Sequence, residues 1–526
     1  MSANMRTPRR RAIWLFRRPR KDLLWRLRSL WRIDWMAAGM AENKTQKSLA
    51  GNAALNVIRT VVTYAFPLVS FMYGSRLFGT DGVGQIQFAQ SFVAYFVLLA
   101  MLGIEKYGIR EASRVKDDRQ KLSKLSQELL IINGCSVVLA YGLLLLSLLL
   151  IPRLDSYAVL LLINSLTIGL TALGMNWLYV AVEDYFFVMV RNVVVNTLAL
   201  VCLFVFVRSP DDMDAFVLIQ TLAATGANVF NVIHARKYIS FRPVGHYCLA
   251  PHIKPILVVF AMTLFIEVYT HLDTTMLGFM SGNDATGLYS AAHKVCGMLS
   301  AVITAAALVM MPRMSAHAGA GDQGKVAKLS SDTVHFILMF SIPCAVGAFV
   351  LSENLILLFS GSEFLDGAAA ARILSGRVLL SSLNAFFVLY LFIPLGKEKV
   401  SVLSTGCAAV LNFLLNMVLI PLLAENGASI ATVVAELVEL CVNLWFFRKV
   451  VSLGSAFSKC WKYVIASAVI PLLFAAASLV SANAYIQLLG VFLLAVPLYF
   501  GALVMLKDTY VTALAGKILR RGRNAE

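Results

Sequence analysis

Within long apolar stretches of this chain stand a few ionisable residues whose type and depth could do chemistry. Lys294 lies nine residues into an apolar run and Arg377 nine residues into another, roughly 14 Å deep at 1.5 Å per helical residue. Arg59 sits seven residues into the first run, and Arg191 lies close to the start of a fifth. A charge near a bilayer centre costs at least roughly 2.5–3.5 kcal/mol, so it normally faces a cavity or a partner. For Lys294 that partner could be an acid such as Glu267, and for Arg191 it could be Glu183 or Asp184 across the adjoining turn. Glu267 and His271 are four apart and share a helical face, where a carboxylate and an imidazole could carry a proton or help to hold sodium. Thr270, Asp273 and Thr274 extend this polar patch. Glu436 and Glu439, three apart, would raise each other's pKa as a proton site, or pair with Arg377. Asn176, Trp177, Tyr179 and Tyr185 gather at the end of another run, as an interfacial aromatic belt or as an entrance on which a sugar could stack.

These residues need membrane-spanning elements to hold them. The 526-residue chain is 59% apolar and only 14% charged, and its mean hydropathy is +0.75. That composition excludes a soluble enzyme, a disordered chain and a nucleic-acid binder, because too little polar surface is left to cover a water-soluble globule. Fourteen runs are long enough to span: 52–73, 86–103, 127–150, 157–180, 186–208, 213–233, 255–280, 285–311, 331–358, 368–395, 400–422, 427–447, 461–481 and 486–506. They are continuously apolar, which argues against barrel strands. The fold expected is therefore an all-α integral membrane protein with 14 transmembrane helices.

The net charge of +17 fits this topology. With fourteen spans, 38 of the 46 Lys+Arg fall in segments on one side and three, Arg76, Arg153 and Arg208, on the other. The positive-inside rule then places both termini in the cytoplasm. Residues 1–48 form a basic segment without a cleavable signal sequence. They read either as a surface-lying helix that turns Trp14, Phe16, Trp25 and Trp31 to lipid, or as sequence ahead of a later start at Met40. The eight cysteines form no CxxC and read as small core residues, with neither a disulfide framework nor a metal site.

A weak duplication runs at an offset of 203 residues. GTDGVGQIQFAQS at 79–91 parallels GNDATGLYSAAHK at 282–294, pairing Gly79 with Gly282, Asp81 with Asp284, Gly84 with Gly287 and Ala89 with Ala292. Arg110 falls on Arg313. Six spans separate the copies, so they share an orientation. That predicts two parallel-repeat six-helix bundles, 49–240 and 241–450, followed by two C-terminal helices and a basic tail in 451–526. A cleft between two such halves suits alternating access.

Three stretches carry a family resemblance: GMNWLYVAVEDYFFVMVRN at 174–192, VYTHLDTTMLGFMSGNDATGLYSAAHKV at 268–295 and NGASIATVVAELVELCVNLWFFRK at 426–449. With them the chain, over about 50–510, resembles a Wzx-type oligosaccharide flippase of the multidrug/oligosaccharidyl-lipid/polysaccharide exporter superfamily. The resemblance implies movement of undecaprenyl-pyrophosphate-linked oligosaccharide repeat units from the inner to the outer leaflet of a bacterial cytoplasmic membrane. The glycan would feed O-antigen, capsule or exopolysaccharide synthesis, with membrane lipids, a polymerase and a chain-length regulator as partners. On that basis Lys294, Arg377, Arg59 and Arg191 become candidates for the pyrophosphate, and Asn176, Trp177 and Tyr179 for sugar. Glu267, His271, Asp273, Glu436 and Glu439 become candidates for coupling to a proton or sodium. No GxxxxGK[ST] is present, so no nucleotide cofactor is expected. Three readings compete. A peptidoglycan-precursor flippase would use a similar basic cavity. A cation-coupled multidrug exporter would need an acidic one. A membrane polysaccharide polymerase would need long outer loops, and the connections here are short.

Overall fold

The computed structural model describes the backbone of residues 49–448, 457, 460–508 and 510–512, and side chains from Phe66 onward except those of residues 262 and 309. Residues 1–48, with Met40 and the basic segment, and the side chain of Arg59 lie outside the described residues. Among the described residues all regular structure is helical. Helix α1 (Leu49–Met101) leads through the short α2 (Ile104–Val115) to α3 (Arg119–Leu150), α4 (Ala158–Leu173) and the single turn α5 (Asn176–Ala181). Next come α6 (Tyr185–Phe206), α7 (Met213–Thr221) and α8 (Asn228–Ala235), the last two joined by a π-turn at Leu222–Gly226. The second half holds α9 (Ala250–Met280), α10 (Asn283–Ala307), α11 (Met311–Gly319), α12 (Gln323–Val350), α13 (Ser352–Phe359) and α14 (Ala368–Ala385). It ends with α15 (Glu398–Phe447), α16 (Cys460–Ser467), α17 (Val469–Val480) and α18 (Ala484–Met505).

Local sequence sets the helix ends. Asp118 caps α3 by accepting from the Gln120 and Lys121 amides, and Asn483 caps α18 in the same way through Tyr485 and Ile486. Pro152 and Pro210 open turns where a proline lacks no needed donor. Leu149, Leu150, Phe206, Leu479, Val480 and Met505 are exposed. So many bare apolar side chains on helices require lipid around them. Among the described residues eleven helices are long and apolar enough to cross a membrane, or twelve if the pair Ala250–Ala261 and Thr263–Met280, bent by 41°, is one span. The chain is a multi-pass membrane protein. Two of these helices are twice the ordinary length. At 53 and 50 residues, α1 and α15 would each run roughly 75–80 Å if straight, against a hydrocarbon core of about 30 Å. Each is broken inside: α1 at Gly79 (φ 64°) and α15 at Ala424 (φ 45°). Past the second break, a Cβ on Gly427 would lie 2.2 Å from the carbonyl oxygen of Leu419. Eight residues of straight helix would separate those positions by about 12 Å, so the chain reverses there.

The segments related by the 203-residue offset meet one another. Thr80 donates to Asp284 (2.5 Å) and Asn283 donates to Asp81 (2.9 Å). A Cβ on Gly84 would strike the Asn283 carbonyl oxygen at 1.9 Å, and one on Gly287 would strike the Thr80 carbonyl oxygen at 2.1 Å. Positions 80 and 283, 81 and 284, and 84 and 287 thus exchange roles across the contact. Both segments start on a positive-φ glycine, Gly79 at 64° and Gly282 at 91°. Only a glycine takes that geometry at little cost. Around this seam Tyr157 donates to Asn283 (2.5 Å), Arg153 to the Gly278 carbonyl (3.1 Å) and Arg76 to the Leu358 carbonyl (2.5 Å). The first and second halves of the chain are therefore latched together at this end.

Candidate functional site

Away from that latch a cavity of about 710 Å³ lies between α1, α4, α6 and α7 of the first half and α9 and α10 of the second. Its lining reaches Glu105 and Lys106 at the start of α2, on the face opposite the Gly79 turn. The π-turn after α7 contributes Thr225 to the wall. Such turns displace a helix's side chains out of regular register and often mark functional walls.

Three of the sequence candidates line this cavity: Glu267 and His271 on α9, and Lys294 on α10. The first two share a face because they stand one turn apart. The Lys294 Nζ sits 4.6 Å from the centroid of the Phe71 ring on α1. Among the described residues it has no carboxylate partner within ion-pair distance, Glu267 included. Its ammonium is buried over an aromatic face instead.

Arg377 stands elsewhere. It lies within the second half, with Nε 3.4 Å from Glu436 Oε1 and Nη1 buried without a partner. Glu436 also accepts from Asn384 (2.9 Å), while Glu439 takes its hydrogen bond from Thr405 (2.6 Å). The two glutamates share a helical face, are buried, and do not line the cavity.

Asp273 also points into the second half. His271 and Asp273 are two residues apart, about 200° around the helix, so one faces the cavity and the other does not. The Asp273 carboxylate is buried and accepts from Asn416 (2.6 Å), Tyr289 (2.6 Å) and Thr432 (2.6 Å). No cationic side chain pairs with it among the described residues. Beside it, Asn416 Oδ1 and Asn412 Nδ2 are buried without partners.

Among the described residues Arg191 has no acidic partner. Its guanidinium donates to the Ala227 carbonyl (3.2 Å), to Asn228 (3.3 Å), to Asn176 (2.8 Å) and to Asn231. The nearby carboxylates are engaged elsewhere, Glu183 by Lys116 (2.7 Å) and Asp184 by Tyr238 (2.6 Å) and His234 (3.1 Å). Burial alone would raise the Asp184 pKa. The hydrogen bonds from Tyr238 and His234 outweigh it and hold the group below the usual carboxylate range. Asn176, Trp177 and Tyr179 belong to this same packed knot. Trp177 is 3% exposed and Tyr179 is fully buried, with its hydroxyl donating to the Asn231 carbonyl. The backbone of α2 lies on the indole, where a Cβ on Gly108 would come within 2.7 Å of Trp177. Arg191, Asn176, Trp177 and Tyr179 thus tie α5, α6 and α8 together, and none lines the cavity.

Residues outside the sequence candidates complete the wall. Asn192 and Asn196 on α6, and Thr167 and Thr171 on α4, face the cavity as two i,i+4 pairs. The visible signal for them was the recurrence of amides at helical spacing inside apolar runs, as again at Asn412 and Asn416.

A family model described as "Polysaccharide biosynthesis protein" matches residues 49–317, more than half of the chain. A probable low-salt glycan biosynthesis flippase, Agl15, of Haloferax volcanii is 25% identical over 237 residues, which span 45% of this chain and 49% of that relative. A putative O-antigen transporter of Escherichia coli is 21% identical over 418 residues, 77% of this chain and 98% of the relative. Among solved structures, the lipid II flippase MurJ in an inward closed conformation superposes with a TM-score of 0.69 at 15% identity, over 87% of this chain and all of that one. This last likeness is one of fold. The family match, on a helical membrane fold with a cavity between its halves, shows that the chain belongs to the polysaccharide biosynthesis protein family, the Wzx-type polysaccharide exporters.

Proposed function

We propose that this protein flips undecaprenyl-pyrophosphate-linked oligosaccharide repeat units across a bacterial cytoplasmic membrane by alternating access, for surface polysaccharide synthesis. One observation carries the reading: among the described residues Lys294 stands in the interhalf cavity without a carboxylate partner, in a lining that adds Glu267, His271 and, at the mouth, Glu105 and Lys106 to amide, hydroxyl and apolar groups. A pyrophosphate supplies the counter-charge, and the sugar supplies hydroxyls for the amides. Arg59, on the same helix as Phe71, stays a candidate for greeting the headgroup. Division of α1 and α15 at Gly79 and Ala424 supports fourteen spans, and the exchanged contacts across Gly84 and Gly287 support two like-oriented halves. On the charge-derived orientation both termini are cytoplasmic, the latched end faces outward, and the cavity opens to the cytoplasm where the substrate is made. The names of the relatives, a glycan biosynthesis flippase and an O-antigen transporter, favour this substrate class. A multidrug exporter for cations fits less well, because the cavity places a free lysine where such a substrate would sit. The test is genetic and chemical: removal of the protein should make the lipid-linked glycan accumulate in the cytoplasmic leaflet, and an unchanged leaflet distribution would reject the proposal.

For energy coupling the reading places the ion, a proton or sodium, at Asp273. A buried carboxylate ringed by Tyr289, Thr432 and Asn416, with amide atoms left unpaired beside it, gains most from a cation. Asp273→Asn keeps the hydrogen-bonding shape and deletes the charge. It should slow gradient-driven translocation by at least about tenfold, a loss of roughly 1.4 kcal/mol, while lipid binding stays unchanged. Full gradient dependence in the variant would exclude this residue.

A further inference from the structure

The cavity is chemically divided. Its ionisable lining inside the mouth, Lys294, Glu267 and His271, belongs to the second half, whereas the wall from α4 and α6 holds no ionisable side chain. On that uncharged wall two amides stand out. Gln90 donates to Gln220 (2.8 Å) and Gln220 to Ser70 (2.9 Å), so those amides are occupied with one another. Asn192 and Asn196 make no side-chain hydrogen bond among the described residues, and they stand about one helical turn apart, about 6 Å along the axis. Thr171, across on α4, is likewise open to the cavity. An amide at membrane depth with nothing to bond is costly unless water or a ligand meets it. Two amides at that spacing match donor and acceptor groups on neighbouring sugars, and an amide can both give and accept.

We infer that Asn192 and Asn196, with Thr171, form a subsite for an uncharged sugar, and that they select a lipid-linked glycan bearing hydroxyl or acetamido groups over one bearing a carboxylate near its pyrophosphate end. A uronate on this wall would find no cation on α4 or α6, and the second-half lining that holds Lys294 for the pyrophosphate also holds a carboxylate, Glu267, that would repel it. The inference rests on the flippase reading of the cavity and deepens it.

The experiment uses the full chain in liposomes and measures the binding of three lipids. One is polyprenyl pyrophosphate bearing a neutral disaccharide, the second bears a hexuronic acid in place of the outer hexose, and the third bears no sugar. The native protein should hold the neutral lipid roughly tenfold more tightly than either other, the size expected of two neutral hydrogen bonds. The double variant Asn192→Ala, Asn196→Ala should bind all three alike, at the native affinity for the sugarless lipid. Asn196→Arg should reverse the preference in favour of the uronate, a gain that misfolding would not produce. Equal native binding of neutral and acidic lipids, or a tenfold preference that survives the double alanine change, would overturn the subsite. If the sugarless lipid binds through Lys294 but a neutral sugar adds nothing, the subsite fails and the flippase reading stands. If no lipid of the three binds, both fall.

Discussion

Lys294→Met is expected to reduce translocation of a polyprenyl-pyrophosphate-linked sugar by on the order of 100-fold or more. Loss of one member of a desolvated charge pair costs roughly 2–5 kcal/mol. The same change should leave folding intact or raise thermal stability, because among the described residues the ammonium has no carboxylate partner to abandon, and it lies over the Phe71 ring at 4.6 Å. An unpaired buried charge is a burden to the fold, and an isosteric apolar side chain relieves it. The opposite signs separate a ligand contact from a structural one. Measured together, a fall in melting temperature with transport preserved would assign Lys294 to the fold.

Fixing the latched end should abolish transport altogether. In a background freed of the eight native cysteines, Thr80→Cys with Asp284→Cys places two thiols where a hydrogen bond of 2.5 Å now joins the halves. A short bifunctional thiol reagent should hold the cavity closed on that side, and translocation should drop to the protein-free background. A cleavable reagent should restore it on reduction. Alternating access requires this seam to part, since Asn283 to Asp81 and the paired glycine contacts at Gly84 and Gly287 close the same end. Undiminished transport in fully cross-linked protein would mean that the seam is static.

The spans were legible because hydropathy reports what a helix can be immersed in. It does not report which way the helix is turned. Glu267 and His271 were readable as a pair, since one-turn spacing sets a common face, and they do share the cavity wall. Asp273 sat in the same polar patch of sequence, yet its two-residue offset from His271 sends it into the second half against Tyr289 and Asn416. Arg191 shows a different limit. Charge arithmetic offered it Glu183 and Asp184, whereas the fold supplies oxygens from Asn176, Asn228 and Asn231. Amides carry no formal charge and so left no trace in that reasoning. The same blindness passed over Asn192 and Asn196. The 203-residue offset was visible as a few matched glycines, aspartates, an alanine and an arginine. That the matched segments meet, each starting on a positive-φ glycine and packing glycine to backbone across one seam, is a matter of tertiary contact that spacing does not report.

The most direct test of the central claim follows a fluorescent polyprenyl-pyrophosphate-linked disaccharide in proteoliposomes, with a membrane-impermeant quencher reporting which leaflet holds it. The native chain should carry the lipid between leaflets well above the protein-free rate, and the matching lipid that carries an uncharged ester instead of pyrophosphate should stay where it was placed. Equal movement of both lipids, or of neither, would contradict transport built on a cation in the cavity that takes the pyrophosphate.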